Sequence, residues 1–253
     1  MTTAESTTND QSVVASAPAL DELPAPLREP IRRYAAVARE ALGGSVIALT
    51  VFGDALSNAA GESRREVESV LVLESVELPL LRKLAARGPQ LGKDGITAPL
   101  VMAPKYVSAS LDAFPLELIE IQQRHVTVFG RDHFQELAFD AGCVRLQCER
   151  ELKRVLVGLL EALLASTGKE KAVALIEADA RRVLLRTLRG LLWLGGEKAY
   201  LPPTDVAGRV EAKLERKFSG LRSAIADPSR LHWRDFDELY RDVESLGEIA
   251  NAW

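Results

Sequence analysis

The sequence predicts an α/β (α+β) protein, a small mixed-sheet domain followed by an all-α helical bundle, and three observations carry that reading. Residues 46–73, VIALTVFGDALSNAAGESRREVESVLVL, hold two apolar runs rich in Val, Ile and Leu on either side of a glycine turn and a polar segment. Each run is too short for a buried helix and reads as a strand. Beyond residue 140 the apolar side chains recur at helical spacing almost without a pause, punctuated by Gly168, by Gly195-Gly196 with Pro202-Pro203, and by Asp227-Pro228.

Residues 1–22 are Thr, Ser, Ala, Asn and Asp with few large apolar side chains, a composition that does not repay the entropy of ordering, so a disordered tail is expected. A first domain then occupies residues 23–140. Residues 26–42 put Ile31, Tyr34, Ala35, Val37 and Leu42 near one side of a helix that Gly43-Gly44 ends. Strands follow over 47–52 and 67–73, with a short helix or helical turn over 55–60; their continuous apolar character marks central strands covered on both faces. A helix over 78–87 stops at Gly88-Pro89. Residues 96–103 form a third strand, in which Pro99 has no amide hydrogen for the ladder and so demands an edge or a bulge. Residues 107–123 are helical with a break at Phe114-Pro115, and 125–129 make a last short strand before Gly130.

The second domain, residues 141–253, reads as four helices over 143–166, 171–194, 205–218 and 235–250, whose short connections suggest an antiparallel bundle. Trp193 with Leu188, Leu191, Leu192 and Leu194 makes an apolar face, read as core or as an interface through which copies of the chain would oligomerise. Cys143 and Cys148 lie five apart on different faces of the first of these helices and read as reduced thiols.

Composition narrows the classes. With 47 % apolar and 27 % charged residues the chain is an ordinary globular protein, and no apolar run reaches the ~20 residues of a membrane span. No basic-then-apolar signal pattern opens the sequence, so a cytoplasmic location and no membrane partner are expected. Three scattered histidines offer no zinc spacing. The net charge of −4 divides unevenly: residues 141–253 carry 19 Lys/Arg and 17 Asp/Glu, leaving 13 and 19 for residues 1–140. Neither part is a basic surface, which argues against a nucleic-acid partner.

Within 46–73, Gly53 ends the first strand, Gly61 precedes the second, and Glu66-Val67-Glu68 opens it; two residues apart on a strand, the two carboxylates leave the same face. In order and spacing this resembles the nucleotidyltransferase superfamily, whose pattern is a strand ending in Gly-Ser, a short helix, then a glycine and Asp-x-Asp on the next strand. A small head of this kind (DNA polymerase beta-like or kanamycin nucleotidyltransferase-like) followed by a HEPN-like or kanamycin nucleotidyltransferase C-terminal-like bundle is the architecture the resemblance implies. Under it Gly53 and Asp54 are the candidate nucleotide-binding residues, and Glu66 and Glu68 the candidate ligands of magnesium or manganese. The departures are chemical. Asp54 stands where the family has serine, both aspartates are glutamates, Arg65 replaces a usual serine, and residues 96–103, where the family's third carboxylate lies, contain no acid.

Each departure acts against catalysis. A carboxylate ~4 Å from a phosphate charge repels it by about 4 kcal/mol at an effective dielectric of 20. Glutamate's extra methylene shifts an ion that wants oxygens at about 2.0–2.1 Å, and no proton acceptor stands in the third acid's place. The plainer reading makes Glu66 and Glu68 a solvated strand start paired with Arg64 or Arg65, and Asp54 a helix N-cap.

Arg182, Arg186 and Arg189, four and three apart on the second bundle helix, form a basic stripe, either a phosphate-facing patch or a solvated face balanced by Glu177 and Asp179. A HEPN ribonuclease is disfavoured because Arg230 precedes His232 by only two residues. Together these residues lead to the expectation of a nucleotidyltransferase-fold protein with a degenerate metal and nucleotide site, serving as a binding, regulatory or assembly module with an NTP or a protein as partner. The alternative is an active magnesium-dependent nucleotidyltransferase moving a nucleoside monophosphate from an NTP to a hydroxyl.

Overall fold

The structure, a computed structural model, describes residues 17–57, 66–226 and 232–252. It is mixed α/β, with one small four-stranded sheet and a majority of helix. The residues fall into two compact units that do not follow the chain continuously. The first draws on 1–51, 64–103 and 126–132, the second on 52–63, 104–125 and 133–253. Expected division at residue 140 thus differs from the grouping by contact, because residues 104–125 belong with the helices.

In the first unit, α1 (Ala17–Asp21) precedes α2 (Ala25–Leu42), so part of the stretch expected to be a disordered tail is helical, with Leu20 and Leu23 buried. Residues 1–16 lie outside the described residues. Helix α2 buries Leu27, Ile31, Tyr34, Ala35, Ala38 and Leu42, the face expected except that Val37 is half-buried. The sheet runs in the order β3-β2-β1-β4, with β1 (Val46–Phe52), β2 (Glu68–Leu73), β3 (Leu100–Met102) and β4 (His125–Phe129). The two apolar runs therefore pair as the central strands, and both are almost wholly buried.

Strand β2 reaches its parallel neighbour β3 through α3 (Leu78–Ala85) and α4 (Gly88–Lys93), the crossover that parallel pairing requires. Gly88-Pro89, expected to end a helix, instead opens α4, since proline in the first turn needs no amide partner. The third strand is shorter than the expected 96–103. Ile96 bridges Val67 and Leu100 pairs with Val70, so four steps on this strand match three on β2. The extra residue falls in the stretch holding Pro99, at the sheet's edge, where a missing amide is tolerated.

Two hydroxyl pairs tie the elements of this unit together. Tyr34 Oη lies 3.1 Å from Ser69 Oγ, tying α2 to β2, and Thr50 and Thr127 hydroxyls meet at 3.0 Å across β1 and β4. Gly130 follows β4 at φ +81°, and a Cβ there would fall 2.0 Å from the Ile47 carbonyl oxygen, so only glycine fits.

The second unit contains α5 (Pro104–Ala109), α6 (Pro115–Gln123), α7 (Ala141–Ala165), α8 (Glu170–Leu194), α9 (Pro203–Leu214), α10 (Ser219–Ala226) and α11 (Trp233–Ala252). The break expected at Phe114-Pro115 separates α5 from α6. Asp140 caps α7, accepting from the Cys143 amide at 3.0 Å. Helices α7 and α8 form a hairpin whose core includes Cys148, Leu152, Leu159, Leu184 and Leu188. Gly190 makes the close approach: a Cβ there would meet Leu116 Cδ2 at 2.3 Å and Cys148 Sγ at 2.8 Å, so α6, α7 and α8 converge on it. Both cysteines are free thiols.

One expectation for this region is corrected, and one left with two alternatives is decided. The helix expected over 205–218 ends at Leu214, because Glu215 adopts a left-handed conformation (φ 51°), and Ser219–Ala226 forms a further helix. Phe218, fully buried between them, and the Glu211 carboxylate that accepts its amide at 2.9 Å hold that corner. The Leu188–Leu194 face is interior: Leu188, Leu191 and Leu192 are at most 3 % exposed and Trp193 is 9 % exposed, which removes it as an oligomer interface. The Asp227-Pro228 stop and Arg230 lie outside the described residues. Among the described residues no helix is long and apolar enough to cross a membrane.

Candidate functional site

Gly53 follows β1 at φ 85°, a value that favours glycine, and its amide donates to the Arg124 carbonyl at 3.1 Å. The next residue opens a 3-10 turn, Asp54–Leu56, shorter than the helix expected over 55–60, whose end lies outside the described residues. Asp54 is not an N-cap by its side chain; its Oδ1 accepts from Arg189 Nη2 at 2.7 Å and from Tyr200 Oη at 2.8 Å.

Those two bonds are one end of a chain of polar contacts inside the second unit. Arg189 also donates to Glu120 Oε1 at 3.2 Å and to the Leu201 carbonyl at 2.9 Å. The other oxygen of Glu120 accepts from Arg186 Nε at 2.7 Å, Arg186 Nη1 donates to Glu117 at 2.9 Å, and Glu117 accepts from Gln147 Nε2 at 2.7 Å. Gln147 Oε1 closes the series on the Leu116 amide at 2.8 Å, an N-terminal amide of α6 with no partner in its own helix. Helices α6, α7 and α8 and the turn at Asp54 are thus tied by alternating charges, which partner both terminal nitrogens of Arg189 and leave its buried Nε without a hydrogen bond among the described residues.

Tyr200 holds the outer end. The Arg124 and Arg189 guanidinium carbons lie 4.8 and 5.0 Å from its ring centre, and Arg124 also donates to the Leu56 carbonyl. Burial, with the Asp54 carboxylate beside it, pushes the Tyr200 hydroxyl well above the usual phenol range, so it remains a donor.

The arginine stripe divides along its length. Arg182 is exposed, Arg186 is half-buried against Glu117 and Glu120, and Arg189 is only 4 % exposed in its side chain. A solvated face does not describe Arg189, whose charge is matched by Asp54 and Glu120. The side chains of Glu177 and Asp179 lie outside the described residues.

Glu66 and Glu68 sit in the first unit, Glu66 exposed just before β2 and Glu68 half-buried at its start. Strand alternation sends Glu68 to the face opposite Ser69, whose side α2 covers through Tyr34, while Glu66 lies before the strand. Gly61, Arg64 and Arg65 lie outside the described residues. Asp94, the acid before β3, is held by Arg33 at 2.8 and 3.2 Å. Among the described residues no group of three or more His, Cys, Asp or Glu side chains is placed to hold a metal ion.

Glu117, Glu120, Arg124, Gln147 and Tyr200 were not among the residues singled out from sequence. Their signal is a matched spacing: Glu117 and Glu120 stand three apart in the apolar LELIEI of α6, as Arg186 and Arg189 do in α8. In comparisons with known proteins, no family model matches the chain and no curated protein does.

Proposed function

We propose that this chain is a nucleotidyltransferase-like protein whose ancestral triphosphate turn has become a structural anchor, and that it works as a binding, regulatory or assembly module rather than as a transferase. The observation that carries the reading is the engagement of Asp54. The acid standing where the resemblance has a phosphate-holding hydroxyl is bonded to Arg189 and Tyr200, and the Gly53 amide beside it is bonded to the Arg124 carbonyl. A triphosphate at this turn would have to displace those bonds and approach a carboxylate. The charges of Arg186 and Arg189 are matched by Glu117, Glu120 and Asp54, which weighs against a phosphate-facing patch.

Incubation with each labelled NTP plus magnesium or manganese tests it. The expected result is no transfer to protein, RNA or hydroxyl-bearing small molecules, and no calorimetric signal with nucleotide up to about 1 mM. Turnover that disappears in Glu66→Gln would overturn the reading in favour of an active transferase.

A further inference from the structure

We propose that the outward face of α7 formed by Val157, Leu160 and Leu164 is a contact surface for a second copy of this chain, packed helix against helix in antiparallel fashion about a twofold axis. Nothing in this depends on how the Gly53 turn is read. Val157, Leu160 and Leu164 are 55, 43 and 80 % exposed, and their spacing of three and four puts them on one side of the helix. Leu152, Val155 and Leu159 point the other way, into the core. Apolar side chains repeating at helical spacing on the outward side are the pattern by which one helix packs on another.

Charge identifies the occupant. Lys153 and Arg154 lie one turn before Val157 and Glu161 one turn after it. An antiparallel copy brings Glu161 of each chain against Lys153 and Arg154 of the other, so one surface complements itself, as a twofold interface must. Lys153 also donates to Glu149 at 2.5 Å and Arg154 lies 3.3 Å from Glu151, but both are largely exposed and keep further donors for a second carboxylate. A parallel copy would set like charges together.

Sedimentation velocity from about 1 µM to about 1 mM tests this on the full chain. A concentration-dependent dimer is expected, and Leu164→Glu should abolish it with unchanged circular dichroism, since that side chain is solvent-exposed. Glu161→Lys and Lys153→Glu should each weaken it at least about tenfold, and the doubly reversed chain should recover most of the loss. If Leu164→Glu unfolds, Val157→Ser serves as the second apolar variant. A monomer throughout the range overturns the proposal, as does a dimer that the charge reversals leave unchanged.

Discussion

Arg189 Nη2 stands 2.7 Å from Asp54 Oδ1, joining residues 135 positions apart in the chain. The partners are unequally buried, with 4 % of the Arg189 side chain exposed and 43 % of Asp54. Removing the two should therefore cost different amounts. Arg189→Met takes a charged donor from both Glu120 and Asp54, leaving them Arg186 and Tyr200, and is expected to destabilise by about 3 kcal/mol, the lower end of the cost of breaking a buried pair. Asp54→Asn leaves a partly solvated site and an acceptor oxygen and should cost about 1 kcal/mol. Urea denaturation of both variants and the double variant checks the asymmetry; equal losses would mean that Arg189 is not the buried centre of the network.

Tyr200 contributes a hydroxyl to Asp54 and a ring to two guanidinium groups, and the two roles separate by substitution. Tyr200→Phe keeps the ring and should cost about 0.5–1.5 kcal/mol, while Tyr200→Leu should lose a further ~1 kcal/mol of cation–π contact. The raised ionisation of Tyr200, with that of Tyr34 pushed up to about 12 by burial, also has a sign. Both phenols bind their proton more tightly in the folded chain, so their contribution is fully present below the ordinary value of 10 and is lost as pH rises toward the folded values. Ultraviolet titration should show these two tyrosines still protonated at pH ~11 in the folded protein, and ionised there in urea.

How much of this was open to reading from sequence follows the range of the interactions. The paired central strands, the position of Pro99 at an edge with an extra residue, and the break before Pro115 all rest on local chemistry, and each was legible. Helix α10 was not, because its boundary depends on the left-handed Glu215 and on the docking of Phe218, a tertiary effect. The apolar Leu188–Leu194 face looked equally suited to core and interface; only the packing of α6, α7 and α9 around α8 decides. Arg186 and Arg189 invited a phosphate because their acids lie 66 to 135 residues away in the chain. Matched pairs of opposite charge three apart in two apolar helices are the local trace of such a network.

Gly220 lies in α10 where that helix crosses α11. A Cβ on it would fall 2.2 Å from the Leu239 amide nitrogen and 2.4 Å from the Glu238 carbonyl carbon, both backbone atoms that no rotamer change can move. Gly220→Ala gains helix propensity of about 1 kcal/mol but forces the helices apart, so a net loss of about 1–3 kcal/mol is expected. Gly247→Ala in α11, where no atom of the described residues lies within 4 Å, should be stabilising instead. Thermal denaturation of the two variants reads opposite signs; a stabilised Gly220→Ala would contradict the close crossing.

Asp242 on α11 accepts from the Leu221 amide at 3.0 Å, closing the N-terminus of α10 from outside that helix. Burial raises its ionisation above the ordinary 3.8, outweighing the backbone amides that favour the carboxylate. An acid with a raised folded value contributes stability below its unfolded value, and that contribution is lost as pH climbs through the folded value. Wild type should therefore lose part of its stability on going from pH ~3.5 to pH 7 at this residue alone. Asp242→Asn keeps an oxygen for Leu221 without the charge, so its Tm should match wild type at the acidic end and exceed it at neutral pH. Asp242→Ala removes the acceptor and should cost about 1–3 kcal/mol at both ends. Melting curves of the three proteins across that range decide it: an Asn variant that falls below wild type as pH rises would mean that the carboxylate charge stabilises α10, and that the amides outweigh burial.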